Sequence, residues 1–227
     1  HIGLGIRRGT RSEMSDFVTI SDPPANLLRQ ASLFLDLDGT VLELADSPHG
    51  VRVGPDLVDL LELAQQKLSG RLAVISGRSA VDVAGLFPSL NLNIAGSHGL
   101  EIRWADGRRN APVRGPAVDE ALATMQRFAD PRQGLLVEDK PFGVALHYRL
   151  APQLERECQA LAEQLARDTG LILQTGKMVA ELKTSAAHKG DALDLFMNDP
   201  VMHGGAPVFI GDDNTDEPAF VAAGARG

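Results

Sequence analysis

Asp36-Leu37-Asp38-Gly39-Thr40 sets two carboxylates two residues apart at the end of the apolar run Ser32–Asp36. One carboxylate of such a pair can attack phosphorus while the other handles the proton of a leaving group. Gly39 lets the backbone turn sharply beside a ligand. An acidic turn without chemistry is the competing reading. A second stretch, Gly211-Asp212-Asp213-Asn214-Thr215-Asp216-Glu217, holds four carboxylates within six residues. They repel one another unless a cation or the positive end of a helix offsets them. Magnesium takes a few carboxylate oxygens together with water and phosphate, and suits such a group. An acidic helix N-terminus accounts for Asp216 and Glu217 but poorly for Asp212 and Asp213.

Two shorter features add to these. Ser76-Gly77-Arg78 follows a second apolar run and opens a helix, so a hydroxyl and backbone N–H groups could form a phosphate-binding corner. Taken alone, those three residues are better read as a plain helix cap. Lys189-Gly190 opens another helix, where the macrodipole is positive and a lysine is unfavourable. That placement suggests a charge needed to balance an anion.

The elements that must position these residues follow from periodicity. Ser32–Asp36, Arg71–Ile75 and Leu92–Ala95 are short, continuously apolar runs, the pattern of buried parallel strands. Helical spacing over Pro55–Leu68, closed by Gly70, and over Ala80–Leu86 alternates with them. The rhythm resumes with a helix over Lys189–Met197, a strand over Val208–Ile210 and a helix over Asp216–Ala223. Strands alternating with helices predict a Rossmann-like α/β core with a parallel sheet, and such sheets place ligands at the carboxyl ends of their strands. All four features fall there.

Between the two stretches of core the texture changes. Leu100–Trp104 and Arg109–Val113, Leu135–Asp139 and Gly143–Arg149, and Leu171–Gln174 and Met178–Leu182 read as three hairpins. Helices are expected over Ala117–Phe128 and Gln153–Asp168. The predicted organisation is an N-terminal extension (1–30), a first core segment (31–102), an inserted α+β cap (103–183) and a second core segment (184–227). Trp104 and Tyr148 are expected in the cap's own core. Residues 1–13 show no periodicity and enter no fold argument.

DLDGT, SGR, KG and GDDNTDE, in this order and each at a strand end, resemble the four motifs of the haloacid dehalogenase superfamily. The long interval between Ser76 and Lys189 is similar to that of members whose cap is inserted between the second and third motifs. With AGSHGLEIR, VEDK, ALHYR and GKMVAELK, the chain resembles the trehalose-6-phosphate phosphatases over about residues 31–225. The resemblance implies that Asp36 is a nucleophile forming an aspartyl-phosphate, and that Asp38 is the acid and then the base. It implies Mg2+ held by Asp36, the Asp38 carbonyl and Asp212, with Asp213 and Asp216 in support. Ser76 and Lys189, with the Gly77 backbone, would bind the phosphoryl group. Glu138, Lys140 and Glu181 in the cap would grip sugar hydroxyls, with Arg78 and Arg149 as further candidates. Read without the family, those cap residues are ordinary polar strand positions. Another sugar phosphate such as sucrose 6-phosphate, or a catalytically silent regulatory domain, are the alternatives; the latter should have lost a motif residue. The family pattern further implies functional coupling to a trehalose-phosphate synthase, and a core continuing into another strand and helix.

The whole-chain properties agree. The 227 residues carry a net charge of −8, which disfavours nucleic acid and anionic membrane as partners. A phosphorylated small molecule stays compatible, because a bound cation inverts the local potential. The hydrophobic fraction of 44% is enough for a core, no apolar run approaches a membrane span, and the single Cys158 suits a reducing, cytoplasmic compartment.

Overall fold

The computed structural model describes residue 24, residues 26–43 and residues 53–227. The expected N-terminal extension lies outside the described residues except for residue 24 and residues 26–30. The described residues divide into two compact units: Asn110–Ala187, and those up to Arg109 together with His188–Gly227.

In the first unit β1 (Ala31–Leu35), β2 (Leu72–Ile75) and β3 (Asn93–Gly96) alternate with α1 (Pro55–Lys67) and α2 (Ala80–Leu86). A hairpin of β4 (Glu101–Arg103) and β5 (Arg109–Asn110) follows; after the inserted unit come α5 (Lys189–Met197), β10 (Ala206–Ile210) and α6 (Glu217–Gly224). The sheet order is β10-β1-β2-β3-β4-β5. β1 runs parallel to both β10 and β2, and β2 parallel to β3. These strands read as unbroken apolar runs because both sheet faces are covered. Leu33, Leu35, Leu72, Val74 and Ile94 pack on one face with Leu61 of α1 and Val83 of α2. Phe34, Ala73, Ile75 and Ala95 pack on the other with Leu193 and Phe196 of α5 and Ala219 of α6. Each fully buried Leu or Phe contributes about 1.5–3 kcal/mol, so the alternation along the strands decides which helices lie on which face.

β4 differs from the expectation that it opens the cap. It joins the core sheet antiparallel to β3, pairing Ala95 with Ile102 and Gly96 with Glu101. Ile102 and Trp104 then bury against the α5 face, Trp104 meeting Phe196 edge-on at 6.1 Å between ring centroids. Trp104 therefore belongs to the α/β core and not to the cap. The inserted unit correspondingly runs 110–187 where hairpin texture placed it at 103–183. A hairpin signal shows that two strands pair, not which sheet receives them.

The inserted unit is an antiparallel sheet of order β6-β7-β9-β8. Its strands are β6 (Leu136–Lys140), β7 (Gly143–His147), β8 (Ile172–Gly176) and β9 (Val179–Lys183). α3 (Pro116–Ala129) and α4 (Glu155–Thr169) cover one face. Val118, Ala121 and Met125 of α3 and Cys158, Ala162 and Leu165 of α4 recur at helical spacing and meet Val144, Leu146, Ala180 and Leu182 of the sheet. Tyr148 is buried in this cluster, as expected. Gly170 ends α4 at φ 74°, a left-handed cap. Among the described residues no helix is long and apolar enough to cross a membrane.

Candidate active site

β1 and β10 are parallel neighbours, so the loops leaving their carboxyl ends emerge side by side. Asp36 follows β1 at 4% exposure and donates its amide to Ile210 O at 2.9 Å. Gly39 turns the chain back at φ 92°. A Cβ at that position would lie 2.3 Å from Asp212 Oδ2, so only glycine lets the DLDGT loop approach the GDD loop so closely. Thr40 Oγ1 donates to Asp212 Oδ1 at 3.1 Å and ties the two loops together.

Lys189, the first residue of α5, is 3% exposed and reaches into this corner. Its Nζ donates to Asp36 Oδ1 at 2.6 Å and to Asp216 Oδ1 at 2.7 Å. The unfavourable lysine at a helix start is thus explained by two carboxylates. Asp216 is wholly buried, and its Oδ2 accepts from the amides of Asp212 (2.9 Å) and Asp213 (3.1 Å). Burial pushes the Asp36 carboxyl up to about 6, against the pull of the Lys189 ammonium. Burial alone would depress the Lys189 pKa, but its two carboxylate partners outweigh that and raise it.

Asp36, Asp212 and Asp216 each present a carboxylate oxygen, and these lie within 4.8 Å of one another. An all-oxygen donor set this close, where Gly39 lets the two loops approach, fits a hard divalent cation such as magnesium. Two of the predicted acidic residues stand apart from that group. Asp213 is exposed and caps a single helical turn, accepting from Thr215 N at 2.8 Å and Thr215 Oγ1 at 2.7 Å. The Asp38 carboxylate is gripped by Arg78 through both oxygens, with Nη2 at 2.6 Å from Oδ1 and Nε at 2.8 Å from Oδ2.

Ser76 lies at the carboxyl end of β2 at 1% exposure, and its Oγ accepts from Arg78 N at 3.1 Å. The expectation that Ser76-Gly77-Arg78 opens a helix is corrected. α2 starts at Ala80, capped by Ser79, whose hydroxyl accepts from Asp82 N at 3.0 Å. The three residues form a loop before the helix, because the nearer serine outcompetes Ser76 for the cap. Arg78 turns back to Asp38, a pairing 40 residues apart that spacing alone does not reveal.

In the inserted unit Glu138, Ala145, Glu181 and Gln174 stand in register across the sheet. Their alternation with core positions puts Glu138, Lys140 and Glu181 on the face opposite the helices. Lys140 Nζ meets Glu181 Oε2 at 3.2 Å, and Glu138 Oε2 meets His147 Nε2 at 2.9 Å. The His147 hydrogen bond holds the Glu138 carboxyl below the usual range. His147, Gln174 and Lys183 share this face; the first and last lie within ALHYR and GKMVAELK without an assigned role, and strand alternation places all three. Lys183 donates to Gln174 Oε1. Arg149 stands in the exposed turn after β7, beyond that strand's paired residues.

The trehalose-phosphatase family model matches residues 34–225. A probable trehalose-phosphate phosphatase of Sinorhizobium fredii is 40% identical over 83% of this chain and 72% of its own length. The trehalose-6-phosphate phosphatase of Escherichia coli is 35% identical over 86% of this chain and 74% of its own. The C-terminal domain of the C. albicans trehalose-6-phosphate phosphatase shares the fold at TM-score 0.70, with 18% identity over 86% of this chain and 73% of that one. A haloacid dehalogenase-like hydrolase from Bacteroides thetaiotaomicron does so at TM-score 0.61, with 16% identity over 86% of each chain.

Proposed function

The chain belongs to the trehalose-phosphatase family, and from that premise we propose that it hydrolyses trehalose 6-phosphate to trehalose and inorganic phosphate. The observation that carries the chemistry is the buried Asp36–Lys189–Asp216 chain at adjacent strand ends, with Asp38 two residues beyond the nucleophile.

Asp36 attacks phosphorus in line and forms an aspartyl-phosphate, the bond to the sugar oxygen breaking as the new one forms. Lys189, fixed between two carboxylates, offsets the negative charge gathered around the transferring group. The Ser76 hydroxyl and the amides of its loop, Gly77 included, hold phosphoryl oxygens. Asp38 protonates the departing sugar oxygen and then takes a proton from the water that hydrolyses the acyl phosphate. Arg78 holds the ionised Asp38 through both oxygens, so Asp38 takes up from solvent the proton that it gives to the sugar oxygen only once one of those two bonds is released. Asp36, the Asp38 carbonyl and Asp212 would hold magnesium, with Asp213 and Asp216 supporting them. When bound, the cation neutralises phosphoryl charge and aligns the phosphoryl group with Asp36. Specificity is assigned to Glu138, Lys140 and Glu181, whose charged ends suit the many hydroxyls of a disaccharide, with Arg149 as a peripheral contributor. A trehalose-phosphate synthase would supply the substrate, in a cytoplasmic setting that suits the buried free thiol of Cys158.

Phosphate release from a panel of sugar phosphates, with and without magnesium, tests the reading. Trehalose 6-phosphate should be preferred, EDTA should abolish turnover, and magnesium should restore it. Calcium should restore little, because its looser coordination disturbs in-line geometry. Equal rates on sucrose 6-phosphate would overturn the substrate, and full activity after exhaustive chelation would overturn the metal.

A further inference from the structure

The segment AGSHGLEIR has no role in the chemistry above, yet it holds the longest run of positive-φ residues among the described residues. Ser97, His98 and Gly99 stand consecutively in the left-handed region, at φ 50°, 58° and 104°. Non-glycine residues hold that conformation only where surrounding contacts impose it. The contacts are specific. Ser97 N donates to Arg78 O at 2.7 Å, and His98 N donates to Ser76 O at 3.0 Å. Glu101 reaches back from β4, and its Oε1 accepts from Ala80 N at 2.9 Å and from Ser97 Oγ at 2.8 Å. The loop that carries Ser76 and Arg78 is therefore pinned at three points, Ser76, Arg78 and Ala80.

Two close approaches complete the arrangement. A Cβ on Gly77 would fall 2.7 Å from the His98 ring, so the imidazole lies directly against the Ser76–Arg78 loop. A Cβ on Gly99 would fall 3.0 Å from His188 O and 3.1 Å from Ala192 Cβ, so the other side of the turn rests on the start of α5. α5 begins with Lys189. The turn thus lies between the two loops assigned to the phosphoryl group.

We infer that Glu101 is a positioning residue for the reaction, locking the Ser97–Gly99 turn as a spacer between the Ser76 loop and the Lys189 helix start. The inference rests on the phosphatase reading above, because it assigns the spacer a transition state to fit. Glu101 touches no reacting atom. Its carboxyl oxygen joins a backbone amide of one loop to a hydroxyl of the strained turn, and so fixes where the Ser76 hydroxyl and the Arg78-held Asp38 stand relative to Lys189. Displacements near 1 Å in such a frame cost on the order of a hundredfold in rate.

The test compares Glu101→Ala, Glu101→Gln and Ser79→Ala in the full chain with magnesium. Readouts are kinetics on trehalose 6-phosphate and p-nitrophenyl phosphate, competitive inhibition by inorganic phosphate, and Tm. Glu101→Ala should lower kcat/KM on both esters by about ten- to a hundredfold and weaken phosphate inhibition about tenfold. Glu101→Gln, whose amide oxygen can accept both bonds, should stay within about threefold of the parent on every readout. Ser79→Ala removes the α2 cap, and should lower Tm while leaving phosphate inhibition unchanged. A Glu101→Ala protein that melts early but shows parental kinetics and phosphate inhibition below its Tm would reduce Glu101 to a structural role and overturn the inference. If Glu101→Ala does not fold, Ser97→Ala and Gly77→Ala carry the test, and parental phosphate inhibition in both overturns it. A parent chain that binds phosphate but hydrolyses no ester would sink the phosphatase reading instead; Glu101→Ala must then still weaken phosphate binding by calorimetry.

Discussion

Asp36, Lys189 and Asp216 in the α/β unit are at most 5% exposed at their side chains and bonded to one another, whereas Glu138 and His147 in the inserted unit pair at 42% and 36% exposure. The same kinds of charge stand in different surroundings in the two places. Burying three ionisable groups is costly unless each finds a partner, and here one ammonium serves two carboxylates at the proposed point of attack on phosphorus. Half-exposed pairs contribute little to stability, and in the proposed function they exchange water or a partner for sugar hydroxyls. The difference runs along the two proposed roles: bonded, buried charge at the proposed site of chemistry, and half-exposed paired charge on the sheet face proposed for selectivity.

That comparison can be broken at several points. The largest effect is expected at Asp36. Asp36→Asn should lower kcat by at least about a thousandfold on trehalose 6-phosphate and on an aryl phosphate alike, because an amide does not attack phosphorus. Single-turnover phosphate release measures it, and substantial activity would end the covalent mechanism. Lys189→Met comes next. It should lower kcat by about a hundred- to a thousandfold and destabilise by about 3–5 kcal/mol in urea unfolding, since two buried carboxylates lose their counter-charge. Unchanged stability would mean that the buried charges are not a matched set.

In the inserted unit, Glu138→Ala, Lys140→Ala and Glu181→Ala should each lower kcat/KM for trehalose 6-phosphate by about ten- to a hundredfold, as loss of a charge-assisted hydrogen bond implies. Turnover of p-nitrophenyl phosphate should hardly change. Equal losses on both substrates would place these residues in the fold or the chemistry, and erase the division between the units. The smallest effect concerns the Glu138–His147 pair. Glu138 has a lowered folded pKa, so its contribution is present above the unfolded carboxyl pKa and is lost as pH falls through the lower folded value. NMR titration should show the Glu138 carboxyl titrating at higher pH in His147→Ala than in the parent, with a change in Tm near neutral pH too small to matter. An unmoved titration would remove His147 as its partner.

Much of the α/β unit was legible in residue order. α2 and α5 begin and end where periodicity and breakers place them, and buried parallel strands announce themselves as unbroken apolar runs. The acidic motifs were legible because few other uses explain two carboxylates at a strand exit. The inserted unit was less legible. Glu138 and Glu181 occupy ordinary polar positions in alternating strands, and only the family resemblance singles them out. Trp104 was misplaced because an apolar residue beside a hairpin signal is equally at home in either core. Residue types alone left Ser76 open to a capping role, because Ser79, three residues on, has the same chemistry and only its position decides the cap.

Residue types and spacing by themselves determined the α/β rhythm, the insertion and the acidic strand exits. These are local properties, governed by side-chain period and by the cost of crowded charge. Only the tertiary structure decided that Lys189 meets Asp36 across 153 residues, that Arg78 takes hold of Asp38, and that Glu101 reaches the start of α2. Those partnerships depend on strand order. The sheet places β1 between β10 and β2 because that arrangement covers both of its apolar faces at once, a requirement no single segment states.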